Sequence, residues 1–444
     1  MYYLSRHISL ILCLGIAAAC PASALDFRGS ADTPVEVVPE ASTGLAAVYV
    51  LPAAAGVEVS YPSPTASWSL FGAAGAAFAE PVAARVEGTS SVVTLRGGDT
   101  GILIEDAGRQ HCYWITDYSG HRFTIAGLHP SGGEYPCDNV VLGFEGDGAP
   151  IQFYSINGRA ITLDRDISVV YTTLVADKEA GRYVQAETNV SMPYITPSSY
   201  VAAPLCDTQF GVEGDRFLRA WQQEASARSD TYAAVAVQAV TTAVQTERDA
   251  ENEQNPATGS LGGSAPCEIT FAADVTDAVA YREWQISRTP DFDILENSYN
   301  QDEFSYTFVE NGTFYVRFTA ADATGACSYT GETYEVSIGE SKLLCPNAFT
   351  PHTSPGVNDE WRGSYQSIVE FHGEIFNRWG SKIITLTDPS QGWDGTIGGK
   401  KASPGVYYYV IRARGADGKA YNLSGDINII GARDDDAYGA SGSD

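Results

Sequence analysis

Trp284 and Ile286 alternate with Glu283, Gln285 and Ser287, and the same period of two returns at Phe314, Val316, Phe318 and at Tyr334, Val336, Ile338. In an extended strand successive side chains leave on opposite faces, so each apolar set lines one buried sheet face. Short runs rich in Val, Ile, Tyr, Phe and Thr, cut by Gly, Pro, Asn and Asp, fill the chain from residue 34 onward. They predict strands at 46–51, 57–61, 68–71, 91–95, 101–105, 112–118 and 122–128. Next comes a hairpin of 151–156 and 160–163 turning on Asn157-Gly158, then strands at 167–174 and 181–192. Residues 231–245 read as one long strand, and only 217–226 (FLRAWQQEAS) suits a short helix. The chain is expected to be all-β, built of stacked sandwiches.

A chain of 444 residues exceeds one ordinary core. The punctuation divides it into β modules at 25–130 and 131–204, a small β-rich module with linker at 205–265, and a sandwich at 266–341 around Trp284, Phe314, Val316 and Phe318. A further module at 342–431 and a flexible acidic tail at 432–444 complete it. Residues 1–24 stand apart: a short basic start, the apolar run 8–19, then Ala22-Ser23-Ala24, the pattern of a cleaved signal peptide. Ala17-Ala18-Ala19-Cys20 offers a lipoprotein alternative that lacks the usual Leu. No other run is long and apolar enough for a transmembrane helix.

Against 55 Asp and Glu stand only 27 Lys and Arg, a net charge of −28. Such a chain repels phosphate backbones, which excludes nucleic acid as a partner. Six cysteines follow the signal, and an even number in an exported chain reads as disulfides. Cys112 with Cys137 is the expected pair because they are close in sequence; Cys267 with Cys327 comes next, with Cys345 competing for Cys327, and Cys206 is left without a local partner. Zinc-type Cys/His spacing, nucleophile elbows, His-Glu-x-x-His and phosphate-cradling loops are all missing, so no catalytic residue, metal or cofactor is assigned. His111 and His121 could meet in a hairpin; Asp291, Asp293 and Glu296 share a loop that suits either weak Ca²⁺ binding or plain solvation. Tyr113, Trp114 and Tyr407 either form a glycan-stacking platform or pack into sheets. Two function classes compete: a non-catalytic stalk or adhesin, and a carbohydrate-active enzyme with an acid pair in the N-terminal modules. The missing signatures favour the first.

The C-terminal module carries ordered motifs. Cys345 leads into Pro346, Asn347, Phe349 and Pro351; Gly356, Asn358, Asp359 and Trp361 follow. Then come Phe376-Asn377-Arg378-Trp379-Gly380, Trp393-Asp394-Gly395, and Pro404-Gly405 with Tyr407 and Tyr409, closed by Gly425. In this order they resemble the gliding-motility-associated, type IX secretion, type B sorting domain of Bacteroidetes. Tyr306 to Asp322 (YTFVENGTFYVRFTAAD) is similar to PKD/Ig-like modules. The resemblance implies tandem Ig-like sandwiches ending in a β-sandwich address, an outer-membrane translocon as partner, and a secreted or surface location reached through the periplasm. Surface glycans or other envelope proteins are the further partner classes. Two departures stand out: His352-Thr-Ser-Pro355 replaces the family's Asn-Gly-Asp-Gly-type loop, and a tail follows Ile430. On physical grounds Phe376, Trp379 and Trp393 are expected in the module's core. Trp393-Asp394-Gly395 and Pro404-Gly405 are expected to turn the chain.

Overall fold

The alternating runs become mostly antiparallel sheets, with three parallel strand pairs among them. The structure, a computed structural model, describes residues 25–248, 250–254, 261–351 and 356–430; the expected signal at 1–24, the loop His352–Pro355 and the tail at 432–444 lie outside the described residues.

In the first unit a four-stranded sheet (Asp26–Arg28, Glu58–Tyr61, Ser90–Thr94, Arg85–Glu87) covers a six-stranded one. The latter runs Val35–Val37, Ala47–Leu51, Arg109–Asp117, Thr100–Asp106, Ser67–Phe71, Glu80–Val82. Tyr49, Leu51, Val59, Trp68 and Ile104 fill the space between them, and the Trp68 indole N–H donates to Ser91 Oγ at 2.9 Å. The strand Ala47–Leu51 is apolar throughout because both of its faces are covered. Val48 and Val50, with Cys112 and Trp114 beside them, leave on the far side and enter the core of the next unit.

That second unit is organised by the long hairpin Ile167–Asp177 and Arg182–Met192. Its sheet is completed by Gly211–Glu213 and Ser226–Arg228. The turn at Asn157-Gly158 forms as expected, with Gly158 at φ 77° and the strands Ile151–Tyr154 and Ala160–Leu163 paired across it. A buried ion pair lies inside: Arg165 meets Asp215 at 2.9 Å, and the Tyr118 hydroxyl donates to both Asp215 oxygens at 3.0 Å. Asp215 also caps the helix Arg216–Ala220 by accepting from Leu218 N–H.

The separate module expected at 205–265 does not exist as such. Its first strands close the second unit's sheet, and Ala239–Gln245 pairs with Cys267–Val275 in the third. The three-residue strands bury too little to stand alone and complete the second unit's sheet, while the seven-residue Ala239–Gln245 packs its apolar side on the third unit's core. The long strand expected at 231–245 starts only at Ala239.

The third unit sets that pair and Glu303–Phe308 against a sheet of Leu261–Gly263, Tyr334–Ile338, Gly312–Ala321, Tyr281–Ser287 and Leu295–Tyr299. Trp284, Phe314, Val316 and Phe318 are all buried, with the Trp284 and Phe318 rings 5.1 Å apart. The C-terminal unit is a five-stranded sheet ordered Ala348–Phe349, Ala420–Ile429, Gly405–Gly415, Ile368–Phe376, Lys382–Leu386.

The disulfide pairing also differs from expectation. Cys137 is bonded to Cys327, 190 residues away, while Cys112, Cys206, Cys267 and Cys345 are free thiols. Cys112 cannot reach Cys137 because its strand aims it into the core. Cys267 lies opposite Phe308 in the same core as Cys327, but Cys327 is already bonded to Cys137. Side-chain direction, not separation along the chain, decides which cysteines meet.

Candidate functional site

The motif residues of the C-terminal unit do two different jobs, separated by the two faces of one strand. Along Gly405–Gly415, Tyr407, Tyr409 and Ile411 point inward, while Val406, Tyr408 and Val410 point outward. Inward, Trp393 lies 4.9 Å from Tyr407 and 5.5 Å from Phe349, and Trp361 lies 4.9 Å from Tyr409. Trp361 and Trp393 exchange backbone hydrogen bonds of 2.9 and 3.0 Å, which ties their two segments together.

The polar motif residues hold the loops around this aromatic core. The Trp361 indole donates to the carbonyl of Pro346 at 2.6 Å. Asn347 O accepts from both the backbone and the side chain of Asn428. Asp359 accepts from Gly356 N–H, and Asn358, at φ 53°, accepts from Thr350 N–H. Asp394 takes the N–H and the hydroxyl of Thr396, making the expected tight turn. Gly395 has φ 73°, and a Cβ there would come within 2.8 Å of Pro351. Pro404 leads into the strand at Gly405, and the backbone carbonyl of Ser403 just before it accepts from the Tyr407 hydroxyl at 3.0 Å. At Gly425 a Cβ would meet the Tyr409 ring at 2.8 Å, so the glycine makes room for that ring. Burial pushes the Cys345 thiol up to about 11.

Two core expectations are corrected. Trp379 is 73% exposed, with the Arg378 guanidinium 4.3 Å over its ring. Asn377 Oδ1 accepts from Trp379 N–H and Ser381 N–H, a turn closed by Gly380 at φ 80° that carries Trp379 away from the sheet. Phe376 follows the inward Ile375 and so faces outward by the period of two, opposite Tyr408 in register. Trp361 takes the core place instead, and its polar surroundings (VNDEWRG) gave no periodic signal. The outer face therefore gathers Phe376, Val406, Tyr408 and Val410, with Trp379 on the adjoining turn; the last four are 40–73% exposed. Asp426 and the Lys382–Glu374 pair border this apolar ground. Contiguous exposed aromatic surface with a polar rim is the usual mark of a docking face.

Elsewhere the chemical candidates are spent on structure. His121 bonds Asp99 at 2.8 Å, while His111 lies against Tyr61 at the other end of the strand Arg109–Asp117. Asp291 accepts from Asp293 N–H and Glu296 pairs with Arg288. Among the described residues no group of three His, Cys, Asp or Glu is placed to hold a metal ion. Tyr113, Trp114 and Tyr407 are buried, so they make no glycan platform. Among the described residues no helix is long and apolar enough to cross a membrane.

The fold is all-β, and the C-terminal unit holds the ordered motifs on one sheet and its loops. Residues 343–429 match the family described as the CHU_C type IX secretion signal domain, and residues 129–229 match the fibronectin type III domain. The C-terminal match implies export to the cell surface or extracellular space and interaction with the secretion machinery. The second match ends at the strand Ser226–Arg228, as the sheet pairing does. No curated protein matches the chain. Dimeric latent PorU from Porphyromonas gingivalis is similar over 72% of this chain and 35% of that one, at 10% identity and a TM-score of 0.17. The chain thus spans about a third of that protein's length, and a likeness this low carries no argument.

Proposed function

We propose that this is a non-catalytic, multi-domain protein of the cell surface or the medium, in which the sandwich units form a stalk and the C-terminal domain is the address read during type IX secretion. A signal peptide ending at Ala24 takes the chain to the periplasm, and the folded address then takes it through the outer membrane. The observation that carries this reading is the match of residues 343–429. The open face of Phe376, Trp379, Val406 and Tyr408 gives the machinery an apolar surface to dock on. The test is made in a host with type IX secretion, comparing the full chain with a chain lacking 343–430. The truncated protein should collect in the periplasm with its signal removed. Trp379→Ala/Tyr408→Ala should lower surface exposure several-fold in a chain that still folds. Equal surface amounts of full-length and truncated protein would overturn the address.

A further inference from the structure

The C-terminal domain is hydrogen-bonded to a segment that precedes it by about a hundred residues. Residues 250–254 run beside the strand Ser364–Gln366, where Tyr365 N–H donates to Asn252 O at 3.1 Å and Gln254 N–H donates to Tyr365 O at 2.6 Å. Glu253 and Tyr365 form a parallel bridge. The Asn252 side chain donates to Gly363 O at 2.7 Å and to Pro389 O at 2.9 Å, joining two loops of the C-terminal domain. Glu251 pairs with Arg362 at 2.9 Å. These contacts give the small sheet Lys342–Leu344 and Ser364–Gln366 a third, borrowed edge.

The strap belongs to the third sandwich. Ala239–Gln245 precedes it and Leu261–Gly263 follows it, both paired within that unit. Glu253, whose side chain is only 6% exposed, is neutralised by Arg248, and Arg248 also donates to Ser264 O at 2.9 Å. Beside this anchor, fully buried Ser367 donates its N–H to Ser264 Oγ at 2.8 Å and accepts from Ala265 N–H through its own hydroxyl. At the far end Ala416 of the C-terminal domain sits in the third unit's core and accepts from Asn311 N–H. The two units therefore meet along a continuous, specific interface.

We infer that the secretion address of this chain is composite: residues 250–254 are part of it, so the address is complete only when the third sandwich has folded. The inference rests on the reading of 343–429 as the address. Its physical basis is that withdrawing the strap unpairs Tyr365 N–H and three carbonyls and opens a strand edge beside a buried tyrosine. A chain whose third unit is unfolded would offer the machinery a frayed domain, which couples export to folding of the passenger.

The test uses the full chain with Asn252→Ala/Gln254→Pro, which removes the donors to Gly363, Pro389 and Tyr365. Asn252→Ala alone serves as the milder variant. Hydrogen exchange of the Tyr365 amide should accelerate at least tenfold while near-ultraviolet circular dichroism stays unchanged. Surface exposure in the secreting host should fall at least five-fold. An unaltered Tyr365 exchange rate, or faster exchange with an undiminished surface amount, would overturn the composite address. If the chain lacking 343–430 also reaches the surface, the address reading itself fails, and the two failures are thus told apart.

Discussion

Trp393 and Trp379 stand fourteen positions apart in one motif series and meet opposite fates. The first is 1% exposed against Phe349 and Tyr407; the second is 73% exposed on its turn. Trp393→Ala should cost about 3–5 kcal/mol, as deletion of a large core aromatic does, while Trp379→Ala should stay within about 0.5 kcal/mol of the parent. Denaturant unfolding of the two variants checks this, and similar losses in both would show that Trp379 is not free. Residue chemistry alone could not separate them, because an apolar side chain in a turn has no periodicity to say which way it faces. His121 is a second case. Its hydrogen bond to Asp99 raises its pKa, outweighing the burial that lowers it. Because the folded value lies above the unfolded value of about 6.5, His121 contributes stability that is fully present below that value and lost as pH rises through the raised one. The stability gap between parent and His121→Gln should therefore shrink between pH 5 and pH 8. An NMR titration placing His121 at or below the unfolded value would refute the assignment. Asp99 is far enough back in the sequence that nothing marked it as the partner.

Strands were legible as units of alternation. The expected 57–61, 91–95 and 101–105 appear as Glu58–Tyr61, Ser90–Thr94 and Thr100–Asp106, because one buried face imposes the period of two. Pairing was not legible. Nothing local says that Ala47–Leu51 lies parallel to Arg109–Asp117, or that Gly211–Glu213 completes a sheet begun at Ile167. The candidate site divides the same way: its motif residues were recognisable by identity and order, but their two faces were separated only by the register of Phe376 with Tyr408 and of Tyr409 with Gly425. That last pair carries a prediction. The Tyr409 ring lies over Gly425 and is backed by Trp361, so it has little room to move. Gly425→Val should destabilise the domain by about 1–3 kcal/mol, the usual cost of overpacking. It should also shift the Tyr409 ring resonances. A midpoint unchanged by the substitution would mean that the ring is loosely held.

At the scale of the whole molecule, the Cys137–Cys327 bond ties the second unit's loop to the third unit's turn. It was not legible, since each cysteine sits in a loop and its partner lies in another unit. For a loop of 190 residues in a fully unfolded chain the entropy argument gives about 5 kcal/mol. Each unit has its own core, so without the bond one can unfold while the other stays folded. The effect should fall on cooperativity. In the intact chain the second and third units should melt together. In Cys137→Ser/Cys327→Ser their transitions should separate, with the weaker one moving to lower temperature in calorimetry and the C-terminal unit following the third. Thiol mapping gives the direct check. Cys112, Cys206, Cys267 and Cys345 should label without reductant once the chain is denatured, whereas Cys137 and Cys327 should label only after reduction. Recovery of a Cys112–Cys137 peptide from exported protein would refute the cross-unit bond, and with it the expectation that the two units unfold as one.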